Sequence, residues 1–577
     1  MSRVFEQSFE RRLDELVAHA KPGQSFEAWT FDDPISRREA ENRLKQKGVS
    51  ARIRSAYKPL LFAFLEEIDL HGVEAIEVFY PVHPNTPANR FRLEAYPLAA
   101  LVGDTKIDFT ARNDGAFHYD VTLHRAEGTQ SLKVLAPNRV HTDIVDETNV
   151  SSTGWFRLAG DEVGERLETD YERLFEAAIH AIAHHDWGND EPYFEELNIR
   201  IAYPAEDIDL PLGNEVVSLR EALHEDLYFS LLEFFQKKSG RPLGDRGLKP
   251  GQIVPEIVKS DGEVSVRIET RSLTTAFLDG ADQPIDTASE PVAAGQIKQL
   301  LAEIGGEAFE ARSRSGRVLS ARYVAGSDAA VMISGGQHPN ETTGMVGAIR
   351  AARQLRQRRG AHFTVSPLEN PDGYAVHQRL RADNPRHMHH AARYTALGDD
   401  LEYRTRESSG GHINEKEIRF QAQALSGASL HLNLHGYPSH EWTRPLSGYV
   451  PRNFDMWTLP KGFFLIMRYH TGWERQAEAL LERVTRHLGT IPGLIDHNNR
   501  QIALYEIHAG ETGFRFINGF PCLPSVDDRP VAPMTLITEY PDQTIYGENF
   551  ISGHTAQMET VLSAYDAWQD IFALETA

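Results

Sequence analysis

The chain has 577 residues, a formal net charge of -23, 41% hydrophobic and 25% charged residues, and a single cysteine, Cys522. That length exceeds one ordinary core and predicts two or more domains. The acidic balance repels phosphates, which argues against nucleic-acid or anionic-membrane partners, and one cysteine excludes an intrachain disulfide, CxxC redox chemistry and a cysteine-rich zinc finger.

The opening stretch MSRVFEQSFERRLDELVAHA alternates charged and apolar residues at helical spacing. It lacks the apolar core of a signal peptide, and no apolar run is long enough to span a membrane, so a cytoplasmic protein is expected. Two helical segments are expected first. Strands follow in VEAIEVFYPV, FRLEAYPLAAL, TKIDFTARND and AFHYDVTLHRA, the last alternating Phe117, Tyr119, Val121 and Leu123 on one face. Asn113-Asp114-Gly115 predicts a hairpin turn between the last two. A helix over about residues 165–185 comes next, then a strand in LNIRIAY. A further helix opens with the capping-box pattern of Ser218 and Glu221 and ends near KKSG. Residues 1–290 therefore read as an α+β region of one or two subdomains. No chemistry is assigned to it; restricting substrate access or building a homo-oligomer is its expected role.

The stretch LDGADQPIDTASEPVAAGQ, residues 278–296, is rich in Gly, Ala, Pro, Ser and Asp and marks the boundary. From residue 295 to 577 strands alternate with helices. Strands are predicted in AAVMISGG, HFTVSPL, SLHLNLHGY and MTLITEY, and helices in TGMVGAIRAARQLRQ, NEKEIRFQAQAL and ERQAEALLERVTRHL. The alternation predicts an α/β domain with a largely buried sheet. In such folds, sites form beyond the carboxyl ends of strands.

Ligand-type residues stand at those ends. His338 and Glu341 follow AAVMISGG, His435 follows SLHLNL, and Glu539 follows MTLI. Two histidines and a glutamate are a catalytic zinc set that leaves a fourth position open for water. A further glutamate beside that water can act as general base. Each residue alone has an ordinary reading: a core histidine, a carboxylate at a helix N-terminus, a surface ion-pair partner. Their order along the chain gives them joint meaning.

With GGQHPNETTG, ENPDGY, LHLNLHG and TEY in this order, the C-terminal half resembles the zinc metallocarboxypeptidases of the carboxypeptidase A/B type. The resemblance implies a three-layer α/β/α domain with a mixed sheet of about eight strands. It implies Zn2+ held by His338, Glu341 and His435, and Glu539 as general base. It also implies an arginine soon after NPDGY that holds the carbonyl oxygen; Arg379 and Arg381 are available, and Arg381 is preferred. The family's Asp-x-Asn-Arg-Asn run, whose Asn-Arg pair grips the substrate carboxylate, is missing. The nearest match is Asp399-Asp400-Leu401-Glu402-Tyr403-Arg404. Either Arg404 or Arg444 supplies the missing cation, or Asp399 and Asp400 make an acidic pocket for a neutral or cationic end. Tyr505 is the best match to the family's mobile tyrosine. The function implied is zinc-dependent cleavage of a peptide or small amide substrate. Deacylation of N-acyl amino acids, as in the related aspartoacylases and succinylglutamate desuccinylases, is the alternative, and a catalytically silent binding module a third.

Overall fold

The apolar runs that precede the candidate ligands become adjacent strands of one mixed sheet. The computed structural model describes residues 2–278, 280–406, 411–452 and 455–576. The sheet has nine strands, against the eight or so expected: β1 (Glu307–Arg312), β2 (Val318–Val324), β3 (Val331–Gly335), β4 (Phe363–Ser366), β5 (Leu430–Pro438), β6 (Phe464–Tyr469), β7 (Arg515–Ile517), β8 (Phe520–Val526) and β9 (Met534–Gln543). Their spatial order is β1-β2-β4-β3-β5-β9-β6-β8-β7. The central strands β4, β3, β5 and β9 are parallel, and β6 runs antiparallel to β9. β3, β5 and β9 are buried along their whole length, as parallel strands covered on both faces must be.

Residue alternation assigns the faces. Val331 and Ile333 point into a core built with helices Ala294–Ile304, Thr343–Leu355, Glu474–Leu488 and Glu548–Thr576. Met332, between them, points the other way, against Ile418 and Ala422 of the helix Glu417–Ser426.

The N-terminal half departs from its sequence reading in three places. Ser2–Phe9 is a strand, not a helix, because it pairs antiparallel with Val264–Arg271. The stretch 91–101 forms short helices, Arg90–Glu94 and Leu98–Leu101, rather than a strand. Asn113-Asp114-Gly115 does not close a hairpin: Lys106–Arg112 and His118–Arg125 lie on opposite sides of Val73–Pro81. The helix Asp170–Ala183 is fixed by a capping box of Thr169 and Glu172. The helix Leu219–Lys238 is capped by Ser218, which accepts from the Glu221 N–H at 3.1 Å. The Glu221 carboxylate reaches His440 instead of the cap backbone.

The two halves share a core. Leu223, Leu227 and Leu231 pack in one cluster with Leu380, Tyr394, Trp442 and Leu446.

Candidate active site

Strand β3 delivers the chain to the site and Gly336 turns it. Its φ is +63°, and a Cβ there would lie 3.0 Å from the Pro367 carbonyl oxygen, so only glycine fits comfortably. His338 and Glu341 follow. The helix Thr343–Leu355 is then anchored at its first residue, where the Thr343 N–H and hydroxyl donate to Asp542 at 2.9 and 2.6 Å. His435 lies on β5, directly across the ladder from Glu539 on β9.

Three buried groups converge here. His338 Nδ1 lies 3.1 Å from Glu341 Oε1, and His435 Nδ1 lies 3.1 Å from both His338 Nδ1 and Glu341 Oε2. It is the one such His/Cys/Asp/Glu cluster of metal-binding dimensions among the described residues, its ligand atoms all within 4.8 Å of one another. The donor set, two imidazole nitrogens and a carboxylate, fits zinc. The backing of the ligands fits too. Asp400 Oδ2 stands 3.4 Å from His338 Nε2 on the far side of the ring, the carboxylate support that metal-bound histidines commonly have. Asp400 is itself held by Gln337 Nε2 at 2.9 Å and the Glu402 N–H at 3.0 Å. The Gly436 N–H donates to Glu341 Oε2 at 3.0 Å.

Burial and the neighbouring charges pull the groups of the site in opposite directions. Burial opposes ionisation of Glu341, yet His338 and Arg393 hold its carboxyl below the usual range. Burial and Arg393 oppose a charge on His338, yet Glu341 and Asp400 raise its pKa. Burial lowers His435, against the pull of Glu341. Glu539 is pushed well above the usual carboxylate range by burial and by Glu341, with Arg393 and Lys461 pulling back. Lys461 is lowered to about 7 by burial, opposed by Glu539. Its ammonium sits among aromatic rings, 4.7 Å from Trp457 and 4.8 Å from Tyr437.

A cavity of about 230 Å³ opens over this group, lined by His338, His435, Glu539, Arg393, Tyr437 and Trp457, among others. Of the arginines that line it, Arg246, Arg393 and Arg468, Arg393 donates to Glu341. Arg379 and Arg381 point elsewhere. Arg379 pairs with Glu196 at 2.9 Å, while Arg381 reaches Glu290 and the Tyr546 hydroxyl. Arg404 does not face the cavity either; its fully buried guanidinium joins Asp399 to Glu415. Arg444 is buried against Glu233 at 3.0 Å and Ser230 at 3.2 Å. Asp399 pairs with Arg404 and Thr395, and Asp400, which lines the cavity, stands against His338. Tyr505 is buried with Tyr96, Tyr449 and Leu459. Asn370 of the NPDGY stretch caps the helix Pro371–Asp383 through the Gly373 N–H at 2.9 Å, and Asp372 binds Ser313, Ser315 and Arg317. That stretch braces the domain rather than walling the cavity.

No protein-family model matches the chain, and no curated protein matches it. Among solved structures, a metallo-carboxypeptidase from Burkholderia cenocepacia is similar at 14% identity, over 54% of this chain and 77% of its own, with a TM-score of 0.30. Bovine thrombin-activatable fibrinolysis inhibitor, solved with a tick carboxypeptidase inhibitor, is similar at 10% identity over 49% and 96%, TM-score 0.27. A succinylglutamate desuccinylase/aspartoacylase from Rhodobacter sphaeroides is similar at 15% identity over 44% and 64%, TM-score 0.25. The chemistry of the site therefore rests on its own geometry. No helix among the described residues is long and apolar enough to cross a membrane.

Proposed function

We propose that the protein is a zinc-dependent hydrolase that cleaves a peptide or small amide bond, with the C-terminal half as an α/β/α catalytic domain. The convergence of His338, Glu341 and His435 within 4.8 Å, beneath a cavity that also holds Glu539, carries the reading. Zinc held by this set supplies Lewis acidity for an amide carbonyl and acidifies water beside it. Arg393 turns its guanidinium from Glu341 toward the carbonyl oxygen, where charge develops as the carbon becomes tetrahedral. Glu539 takes the proton of the attacking water and passes it to the leaving nitrogen. Its raised pKa in the absence of a cation falls once positive charge stands at the triad. Lys461, behind the aromatic wall, adds to that pull.

The test is release of amine from short peptides and N-acyl amino acids by the zinc-loaded protein. Glu539→Gln keeps shape and removes basicity, so turnover should fall about 10²–10⁴-fold with zinc content retained. Turnover near the parent rate in that variant would show that Glu539 is not the base.

A further inference from the structure

The carboxylate that stands behind His338 is itself held from further back. Asp400 Oδ1 accepts from Gln337 Nε2 at 2.9 Å and from the Glu402 N–H at 3.0 Å, which leaves Oδ2 for His338 Nε2. Gln337 is buried, and its Oε1 faces two donors, Arg419 Nη2 at 2.5 Å and Asn433 Nδ2 at 3.2 Å. An amide can turn either end toward a neighbour, but a guanidinium has no acceptor atom. Arg419 therefore decides which way Gln337 stands. The amide oxygen must face the arginine, and the NH2 must face Asp400. Gln337 Nε2 is also 3.4 Å from His338 Nε2, but the carboxylate is the nearer and stronger acceptor.

Arg419 is fixed in turn. It stands on the helix Glu417–Ser426 and is buried. Its Nε and Nη2 pair with Glu369 Oε2 at 2.8 and 2.6 Å, and its Nη1 donates to Glu402 Oε2 at 3.1 Å. Glu369 opens the ENPDGY stretch. Its other oxygen accepts from the Ser366 hydroxyl at 2.9 Å, and its N–H donates to the Gly335 carbonyl at 3.1 Å. All three guanidinium nitrogens are thus used, and the planar fork cannot turn without breaking a buried ion pair.

The other end of this chain of bonds is the cluster of candidate ligands. A negative charge opposite Nε2 draws the imidazole proton to that nitrogen and leaves the lone pair on Nδ1. Nδ1 is the atom that lies 3.1 Å from Glu341 Oε1 and 3.1 Å from His435 Nδ1. We propose that Arg419 and Gln337 are positioning residues, which act through Asp400 to fix the ring and the tautomer of His338 before any ion arrives. That the ion is zinc rests on the reading above; the preset ring does not.

The experiment uses the full-length protein and Zn2+ as the probe, with affinity measured by competition against a fluorescent chelator. Gln337→Met keeps length and neutrality but removes both ends of the amide. Zinc affinity should fall about 10-fold, the lower end of what outer partners of metal ligands contribute. In an Asp400→Ala background the same substitution should change it by about 2-fold or less, because the link is already cut. The visible spectrum of the Co2+-loaded protein should shift between the parent and Gln337→Met, but not between Asp400→Ala and its double variant. Arg419→Lys keeps the charge but not the fork, and should lose part of the affinity; if it does not fold, Gln337→Met carries the test. A role in stability alone would give equal losses in both backgrounds. That result, or an unchanged affinity in Gln337→Met, overturns the proposal. If the zinc reading fails, the parent takes up no zinc, and crystal structures of the metal-free parent and Gln337→Met decide. Asp400 turned away from His338 in the variant supports the proposal, and an unchanged contact overturns it.

Discussion

Asp400→Asn separates support of a metal ligand from recognition of a substrate. The asparagine oxygen can still accept from Gln337 and the Glu402 N–H, which stand 2.9 and 3.0 Å from Asp400 Oδ1. What is lost is the negative charge 3.4 Å from His338 Nε2. Two full charges at that distance attract by about 5 kcal/mol at an effective dielectric of about 20. A metal-bound imidazole carries only a fraction of a charge, so the loss should be about 1.4–2.7 kcal/mol, or about 10–100-fold in zinc affinity. Competition with a fluorescent zinc chelator measures it directly. An unchanged zinc affinity, together with weaker binding of an amine-bearing ligand, would refute the argument and return Asp400 to the substrate pocket.

Two further outcomes follow from buried charges. Lys461 has a folded pKa of about 7 against an ordinary 10.5, so between those values the unfolded chain holds a proton that the native one lacks, and native stability rises with pH. Lys461→Met should therefore gain most over the parent at or below about pH 7 and lose that gain toward about pH 10, as measured by denaturant titration across that range; a pH-independent difference would contradict it. Arg404→Ala leaves Asp399 and Glu415 buried without their cation and should cost about 3–5 kcal/mol of stability, read from the denaturation midpoint. Altered substrate preference at parental stability would instead make Arg404 a substrate clamp.

That His338, Glu341, His435 and Glu539 lie near one another is legible in the sequence because each stands at or after an apolar run, and the runs become neighbouring strands. Strands β3, β5 and β9 have local signals strong enough to survive without context. Ser2–Phe9 does not: its charge and apolar pattern suits a helix, and what makes it a strand is Val264–Arg271, far along the chain. The turn at Asn113-Asp114-Gly115 is real in composition, but Val73–Pro81 takes the place between its flanking strands. Arg393 escaped because spacing from NPDGY points to Arg379 and Arg381; those lie on the helix Pro371–Asp383 and turn to Glu196 and Glu290. Only the return of the chain after that helix brings an arginine to Glu341.

The most direct test of the account is the zinc content of the purified chain, by elemental analysis after dialysis, in the parent and in a His338→Ala, His435→Ala double variant whose fold is verified by circular dichroism. The account predicts one tightly held zinc per parent chain, lost in the double variant together with amide hydrolysis. Equal zinc content in the two proteins, or hydrolysis that persists in the metal-free variant, would contradict it.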